Sequence, residues 1–558
     1  MEAKEYKIID ILTENKKYVI PSYQRPYSWT VDNVTELLDD IYQSYISNNA
    51  EYFVGSMICV NKGDNKFEVV DGQQRLTTLS LILAQLKEKI AAPGVKGDLQ
   101  KRILPIDVYS DQPEEPRLTV RQKEADLYRY YLLQGKFDYK PEKPTYTQTL
   151  FLENYQTIGE YFDGKSEEEL RNFSRYILQN VYVVFVQTND FSSSFRLFNV
   201  LNSRGLPLSG ADLLKNALFE SAQKNKKSAQ QVEDAWTLIE EMIGVEKLDK
   251  FLTLHMLSEK KDRDRVLEKD LYKFGPGAKT NFSDDPVKVS LTLLNSARSY
   301  VRLWENDFNA SSLKRRIASL AQLSTDEWYP PLMAFQNRIT QQKDLTWEQF
   351  GVFVELFEKV YMHGWLKKAI KSQREMVTYS ALVAINHGRP FFDILQQVAA
   401  HADNEGLLAA LDSDIYEPRP NQVNLLKTIL LRIDQEMQDN SVVKSYTGRI
   451  TIEHVLPQRP SHIYWSERFS ETDHRAWLHR LGNLTLVSGN KNSEAQNSDF
   501  GKKKLVFEKL NDKVSFDITK DICSYSEWNV ATLEDRHRRL ANILKKIWLV
   551  PDTIHQNL

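Results

Sequence analysis

Apolar and polar positions give this chain three textures. In the first 90 residues short β-prone runs alternate with helical stripes. Tyr18–Ile20 is such a run before Pro21, and Tyr52–Val60 and Phe67–Val70 read as strands joined by the polar turn Lys62-Gly63-Asp64-Asn65. Val34, Leu37, Leu38, Ile41 and Tyr45 share a helix face, with Thr30 or Asp32 as cap. Leu76–Ile90 reads as a helix, and Ala91–Glu115, with its Pro and Gly, as a loop or insertion. From about 120 to 180 the spacing is helical. Val181–Gln187 is a strand apolar on both faces, and Ser193–Leu201 and Ala211–Ala222 are helices around a Ser203–Pro207 turn. Helical spacing then runs from about 228 to 440, with no repeat of fixed period. Near Ser441 the texture changes again: strand Arg449–Val455, helix Asp473–Arg480, strand Asn483–Val487, then helices.

Length and composition narrow the class. At roughly 150 residues per domain, 558 residues suggest three to four domains, divided here as 1–225, 226–440 and 441–558. A 41% hydrophobic and 27% charged composition is that of a soluble globular protein. No uncharged apolar run is long enough for a membrane helix. Two cysteines, Cys59 and Cys523, exclude a disulfide scaffold and a cysteine-built zinc site. The start, MEAKEYKIIDIL, lacks the apolar core of a signal peptide, so the expected location is cytoplasmic. The net charge of -3 divides unevenly, with about +4 on 441–558 and about -7 on the rest, which points to the C-terminal part as the nucleic-acid end.

The C-terminal part carries candidate chemistry. Thr451-Ile452-Glu453-His454-Val455-Leu456-Pro457 sets a carboxylate beside a histidine where a strand meets a proline. Leu481-Gly482-Asn483-Leu484 follows, and Asn492 lies nine residues after Asn483 at the start of a helix. A metal-dependent phosphodiesterase of hairpin-plus-helix type needs a neutral histidine to deprotonate water and a side chain to orient it. It also needs oxygen ligands from the hairpin and the helix to hold a hard cation. His454 and Asn483 fit the first two roles as catalytic residues, and Glu453 and Asn492 fit the last two as metal ligands. Neighbouring strand residues point to opposite faces, so Glu453 and His454 share one site only if the strand ends or bulges there. Lys503 and Lys504 are candidate phosphate contacts, and His462, His474 and His479 read as surface histidines.

At the other end, Asp71-Gly72-Gln73-Gln74-Arg75 follows a strand and opens a helix. The free N–H groups of that helix start, its dipole and Arg75 make an anion site. Arg25 lies among Tyr23, Tyr27 and Trp29, aromatics that are either core anchors or a base-stacking pocket. Asn202, Arg204 and Lys215 fall in one turn–helix unit. No P-loop pattern is present.

TIEHVLPQ, LGNLTLVSGNKN and the trailing Asn497–Phe500 with Lys502–Lys504 resemble the HNH (His-Me finger) nuclease domain of GmrSD-type, type IV modification-dependent restriction endonucleases. The three N-terminal segments resemble the ParB-like domain of the same family. The resemblance implies an α+β multidomain protein: a ParB-like α/β N-terminal domain, a largely α-helical middle and a C-terminal ββα-metal nuclease domain. It implies an NTP-dependent, modification-sensing DNA endonuclease of antiphage defence, with His454 as general base. The DGQQR segment, Arg25, Asn202, Arg204 and Lys215 would bind the nucleotide, GTP or ATP. The expected cofactor is a divalent metal, Mg²⁺, and the expected partners are modified DNA and NTP, no membrane, and a second copy as a homodimer. The separation of 29 positions from His454 to Asn483 implies an inserted helix. Two rival readings are a ParB-like nucleotide switch that binds without cutting, and a nuclease that acts on RNA.

Overall fold

The computed structural model describes residues 2–21, 24–107, 109–188, 209–222, 225–261, 285–323, 325–438, 449–488, 497–508 and 516–551. Two compact units divide the chain: Met1–Leu238 with Lys269–Ser290, and Ile239–Glu268 with Leu291–Leu558.

The first unit is built on a mixed six-stranded sheet. Its strands are β1 (Glu2–Lys7), β2 (Lys17–Val19), β3 (Tyr52–Asn61), β4 (Lys66–Asp71), β5 (Leu118–Thr119) and β6 (Val181–Thr188), in the order β1-β6-β3-β4-β2-β5. β6 lies between β1 (antiparallel) and β3 (parallel), as a run apolar on both faces should. One face buries the helices Val31–Ile46, Gln73–Lys89, Tyr146–Tyr161 and Glu167–Asn180 in a single apolar cluster. On the other face Leu213, from the helix Gly210–Ala222, joins Ile58, Val60, Val70 and Val186.

The expected stripe of Val34, Leu37, Leu38 and Ile41 is buried on Val31–Ile46, with Thr30 as the N-cap. The Ala91–Glu115 segment is corrected: it contains the helix Pro93–Ile103. Pro93 stands in the first turn, where its missing N–H costs nothing, and Leu99 and Ile103 are buried. The expected helix Ser193–Leu201 lies outside the described residues.

The second unit is helical around one antiparallel hairpin of β7 (Ile450–His454) and β8 (Leu484–Ser488). Buried polar contacts join the hairpin's surroundings to the preceding helices. Asp434 Oδ1, on the helix Pro420–Glu436, accepts from Ile518 N at 2.9 Å. His363 Nε2, on the helix Trp347–Leu366, donates to Trp548 O at 2.9 Å. No helix among the described residues is long and apolar enough to cross a membrane.

Candidate functional site

β7 ends at His454, paired with Leu484, and Val455 N then donates to Asn483 O at 2.9 Å. Glu453 and His454 are both buried but go to different partners, as strand alternation requires. Glu453 Oε1 accepts from Lys503 Nζ at 2.6 Å, and the same ammonium donates to His454 O at 2.7 Å. Burial pushes the Glu453 carboxyl up and the Lys503 amine down from their ordinary values, and their mutual attraction opposes both shifts. Lys503 is wholly buried, which corrects its reading as a phosphate contact. Lys504 is committed as well, donating to Tyr525 O at 2.8 Å.

His454 sits in a histidine cluster. Its Nε2 lies 3.3 Å from His479 Nδ1, and its Nδ1 lies 3.3 Å from Nε2 of Gln458, an exposed residue. Tyr416 packs edge-on against the His454 ring, with centroids 4.6 Å apart, and stacks on His479 at an interplanar angle of 17°. Ile415 N and Tyr416 N donate to His479 O at 3.0 and 3.2 Å. His474 Nε2 donates to Pro457 O at 2.9 Å. The surface reading of His474 and His479 is therefore corrected, whereas His462 is exposed. Burial first, then His479, Lys503 and His474, push the His454 imidazole down to about 3. It is neutral at physiological pH, as a general base must start, but burial this strong also makes it a weak proton acceptor in this arrangement.

Asn483 is fully buried, and its amide touches backbone only. Oδ1 accepts from Leu456 N at 2.6 Å, and Nδ2 donates to Leu456 O at 3.0 Å and Leu478 O at 2.9 Å. It holds the turn after His454 and makes no hydrogen bond to the imidazole, which corrects its expected role as the side chain that orients that ring. Gly482 explains the neighbouring LGN. A Cβ there would come within 2.7 Å of His537 Cβ and 2.8 Å of Leu533 O, both on the helix Val530–Trp548. From that helix the buried Arg536 donates to Gly482 O at 2.6 Å and Leu484 O at 3.0 Å.

Glu453 has the hard-oxygen chemistry that a divalent cation takes, but Oε1 already holds an ammonium. Among the described residues no group of three or more His, Cys, Asp or Glu side chains converges to hold a metal. Asn492 lies outside the described residues. The described donors do not build a cation site by themselves.

In the first unit, Gly72 caps the helix Gln73–Lys89 at φ +87°, a left-handed conformation that glycine adopts without strain. Gln74 accepts from Ser28 N at 2.9 Å and donates to Pro26 O at 3.0 Å, so it pins the loop that carries Arg25. Arg75 donates to Val54 O at 3.0 Å and lies 3.5 Å from Asp71. Burial raises the Asp71 carboxyl, against Arg75 and the Gly72 N–H. Arg25 pairs with Asp212 at 2.9 Å, and the buried Lys215 reaches Gln24 O at 3.4 Å.

Arg25, Gln73 and Gln74 line one cavity with Arg121 and Glu124, two residues the sequence reading missed. Gln73 Oε1 is buried there without a hydrogen-bond partner. Tyr27 is a core anchor, stacked on Phe151 with its hydroxyl 2.8 Å from Thr78 Oγ1. Tyr23, Asn202 and Arg204 lie outside the described residues.

Two family models match the chain: GmrSD restriction endonuclease, N-terminal domain, over residues 8–219, and GmrSD restriction endonucleases, C-terminal domain, over 401–543. The second begins 40 residues before Ser441 and so takes in Ile415 and Tyr416. No curated protein matches the chain.

Proposed function

The chain belongs to the GmrSD restriction endonuclease family, and from that premise we propose that it is an NTP-dependent, modification-sensing DNA endonuclease of cytoplasmic antiphage defence. The observation that carries the reading is His454, an imidazole at the end of a hairpin strand whose two ring nitrogens face His479 and the exposed Gln458. His454 takes a proton from water, the water oxygen attacks the phosphorus, and the P–O bond to the leaving nucleotide oxygen breaks. Removing such a base costs about 10²–10⁴-fold. Asn483 and Lys503 serve by fixing the backbone that leaves His454, at Leu456 N and His454 O.

Glu453, through its second carboxylate oxygen, and Asn492 are the proposed donors to a divalent cation. Hard oxygen donors of this kind suit Mg²⁺, the proposed ion. The helix start at Gly72 and the loop that carries Arg25 are the proposed NTP site, for GTP or ATP; the cavity of about 10 Å³ between them admits a water and not a nucleotide as it stands. Support comes from its orphan Gln73 oxygen, the helix start at Gly72 and the two arginines, Arg25 and Arg121. Asp71 and Arg75 shape its turn, and Lys215, with Asn202 and Arg204, completes the proposed nucleotide set. A ParB-like fold for the N-terminal domain and a His-Me finger fold for the hairpin region belong to the same proposal.

The test incubates the full chain with plasmid, unmodified and variously modified, plus Mg²⁺ and each NTP. The readout is nicks and double-strand breaks. NTP-dependent cutting of a modified plasmid is the expected result. Failure on every DNA with every nucleotide, or cutting of RNA alone, overturns the reading.

A further inference from the structure

We infer that the pocket walled by Leu456, Trp465 and Phe469 takes one nucleobase swung out of the DNA stack, so that the nuclease unit grips a base beside the phosphate it attacks. The inference rests on the nuclease reading of His454 and adds a base-binding site to it.

The pocket has a volume of about 330 Å³, near the lower end of the roughly 300–1,000 Å³ of ligand pockets. That suits a single nucleotide unit and excludes a duplex. Its walls are apolar: Leu456, Trp465 and Phe469 belong to the core around the hairpin. The indole N–H of Trp465 is spent on Ser498 O at 3.1 Å, so the pocket meets only apolar surface of that ring. Such walls suit the face of a base and offset the cost of unstacking it, whereas a phosphate gains nothing from them. The polar lining residues Ser466, Glu471 and Arg475 are exposed. The hydroxyl and the carboxylate can hydrogen-bond a base edge. Arg475 is paired with Glu471 at 3.4 Å, and both side chains are more than four-fifths exposed, so a DNA phosphate can displace that pair. The place in the fold ties the pocket to cleavage. Leu456 is two residues after His454 and is held by Asn483. Pro460, also in the lining, is two residues after the Gln458 that faces the imidazole. His474, a further lining residue, bonds Pro457 O at 2.9 Å. One turn therefore carries both the imidazole and the pocket.

The test uses the full chain and duplex DNA that carries 5-iodouracil or 5-iodocytosine, bases that couple to adjacent aromatic side chains under near-ultraviolet light. The cross-linked peptides should include residues 456–475. Ser466 is exposed, and its hydroxyl donates to Ile463 O at 3.0 Å within its own helical turn. Ser466→Trp therefore fills the pocket from its rim without entering the core. That variant should keep the wild-type melting temperature, bind DNA about tenfold or more weakly, and lose the cross-link. Ser466→Ala, which leaves the pocket open, should match wild type in all three. Cross-links confined to other peptides, or a Ser466→Trp chain that binds DNA as wild type does, overturn the inference and leave the nuclease reading standing. The cross-link needs no cleavage, so it decides the pocket even where His454→Ala still cuts DNA, the outcome that sinks the nuclease reading instead.

Discussion

Asn483 holds both backbone groups of Leu456 in one amide, accepting from its N–H at 2.6 Å and donating to its carbonyl at 3.0 Å. This closes the turn that leaves β7 directly after His454. Asn483→Ala strands buried backbone groups at Leu456 and Leu478 and should destabilise the second unit by about 2–4 kcal/mol. Cleavage should fall at least about tenfold at any Mg²⁺ concentration, since a misplaced base is not restored by metal. Urea denaturation and a Mg²⁺ titration check this; a folded Ala variant with normal cleavage rules it out.

His454→Ala should abolish DNA cleavage, by about 10²–10⁴-fold, and leave NTP hydrolysis near wild type. The imidazole and the N-terminal cavity are built from separate stretches of the chain, 415–483 and 20–151. Parallel plasmid and phosphate-release assays decide it, and cleavage above a tenth of the wild-type rate removes His454 from the role.

Arg25 and Gln74 should separate binding from scaffolding in the N-terminal cavity. Arg25 is one-third exposed, so Arg25→Ala should leave the melting temperature nearly unchanged and slow NTP hydrolysis about tenfold or more. Gln74 spends its amide on Ser28 N and Pro26 O, so Gln74→Ala should lower both stability and hydrolysis. Equal melting temperatures for the two variants would show that Gln74 does not hold the loop.

Much of the scaffold was legible because pattern and burial agree. β6 reads VYVVFVQ and lies inside the sheet; the strand before DGQQR and the helix after it stand where their spacing put them. Pro93–Ile103 was missed because Pro and Gly read as loop residues, although a proline in the first turn is a helix start signal. Lys503 was misread from the run Lys502–Lys504. The signal was present: Phe500, Lys503, Val506 and Phe507 fall at helical spacing and all are buried. His479 and Tyr416 carry no such mark. They meet His454 only through tertiary packing of segments 25 and 38 residues away, which no local period reveals.

His255 predicts an acid limit to the stability of the helical region. Half-buried, with Nδ1 2.9 Å from Ser296 Oγ, its imidazole is pushed down to about 4 by desolvation. Above pH 6.5 it is neutral both folded and unfolded. As pH falls below 6.5 the unfolded imidazole takes a proton that the folded one refuses, so stability declines down to about pH 4, by at most about 3 kcal/mol. His255→Gln should flatten that slope in urea midpoints measured at pH 7 and pH 4.5. A variant with the wild-type slope assigns the acid sensitivity to other groups.

Glu453 stands between two roles that one pair of variants can part. Its Oε1 holds the buried Lys503 ammonium, and a carboxylate retains a second oxygen for a cation. Glu453→Gln removes a charge that Lys503 needs and should destabilise the second unit by about 3–5 kcal/mol. Glu453→Gln combined with Lys503→Met leaves no buried charge and should recover most of that stability. The double variant also loses the Lys503 contact to His454 O, so its Mg²⁺ dependence rather than its maximal rate reports on the metal. With one hard-oxygen ligand weakened, its cleavage should need several-fold more Mg²⁺ for half-maximal rate, and excess Mg²⁺ should restore the rate in part. A double variant that is stable and cuts with the wild-type Mg²⁺ dependence makes the Glu453–Lys503 pair purely a fastening for the strand behind His454, and the cation's ligands must then be sought elsewhere.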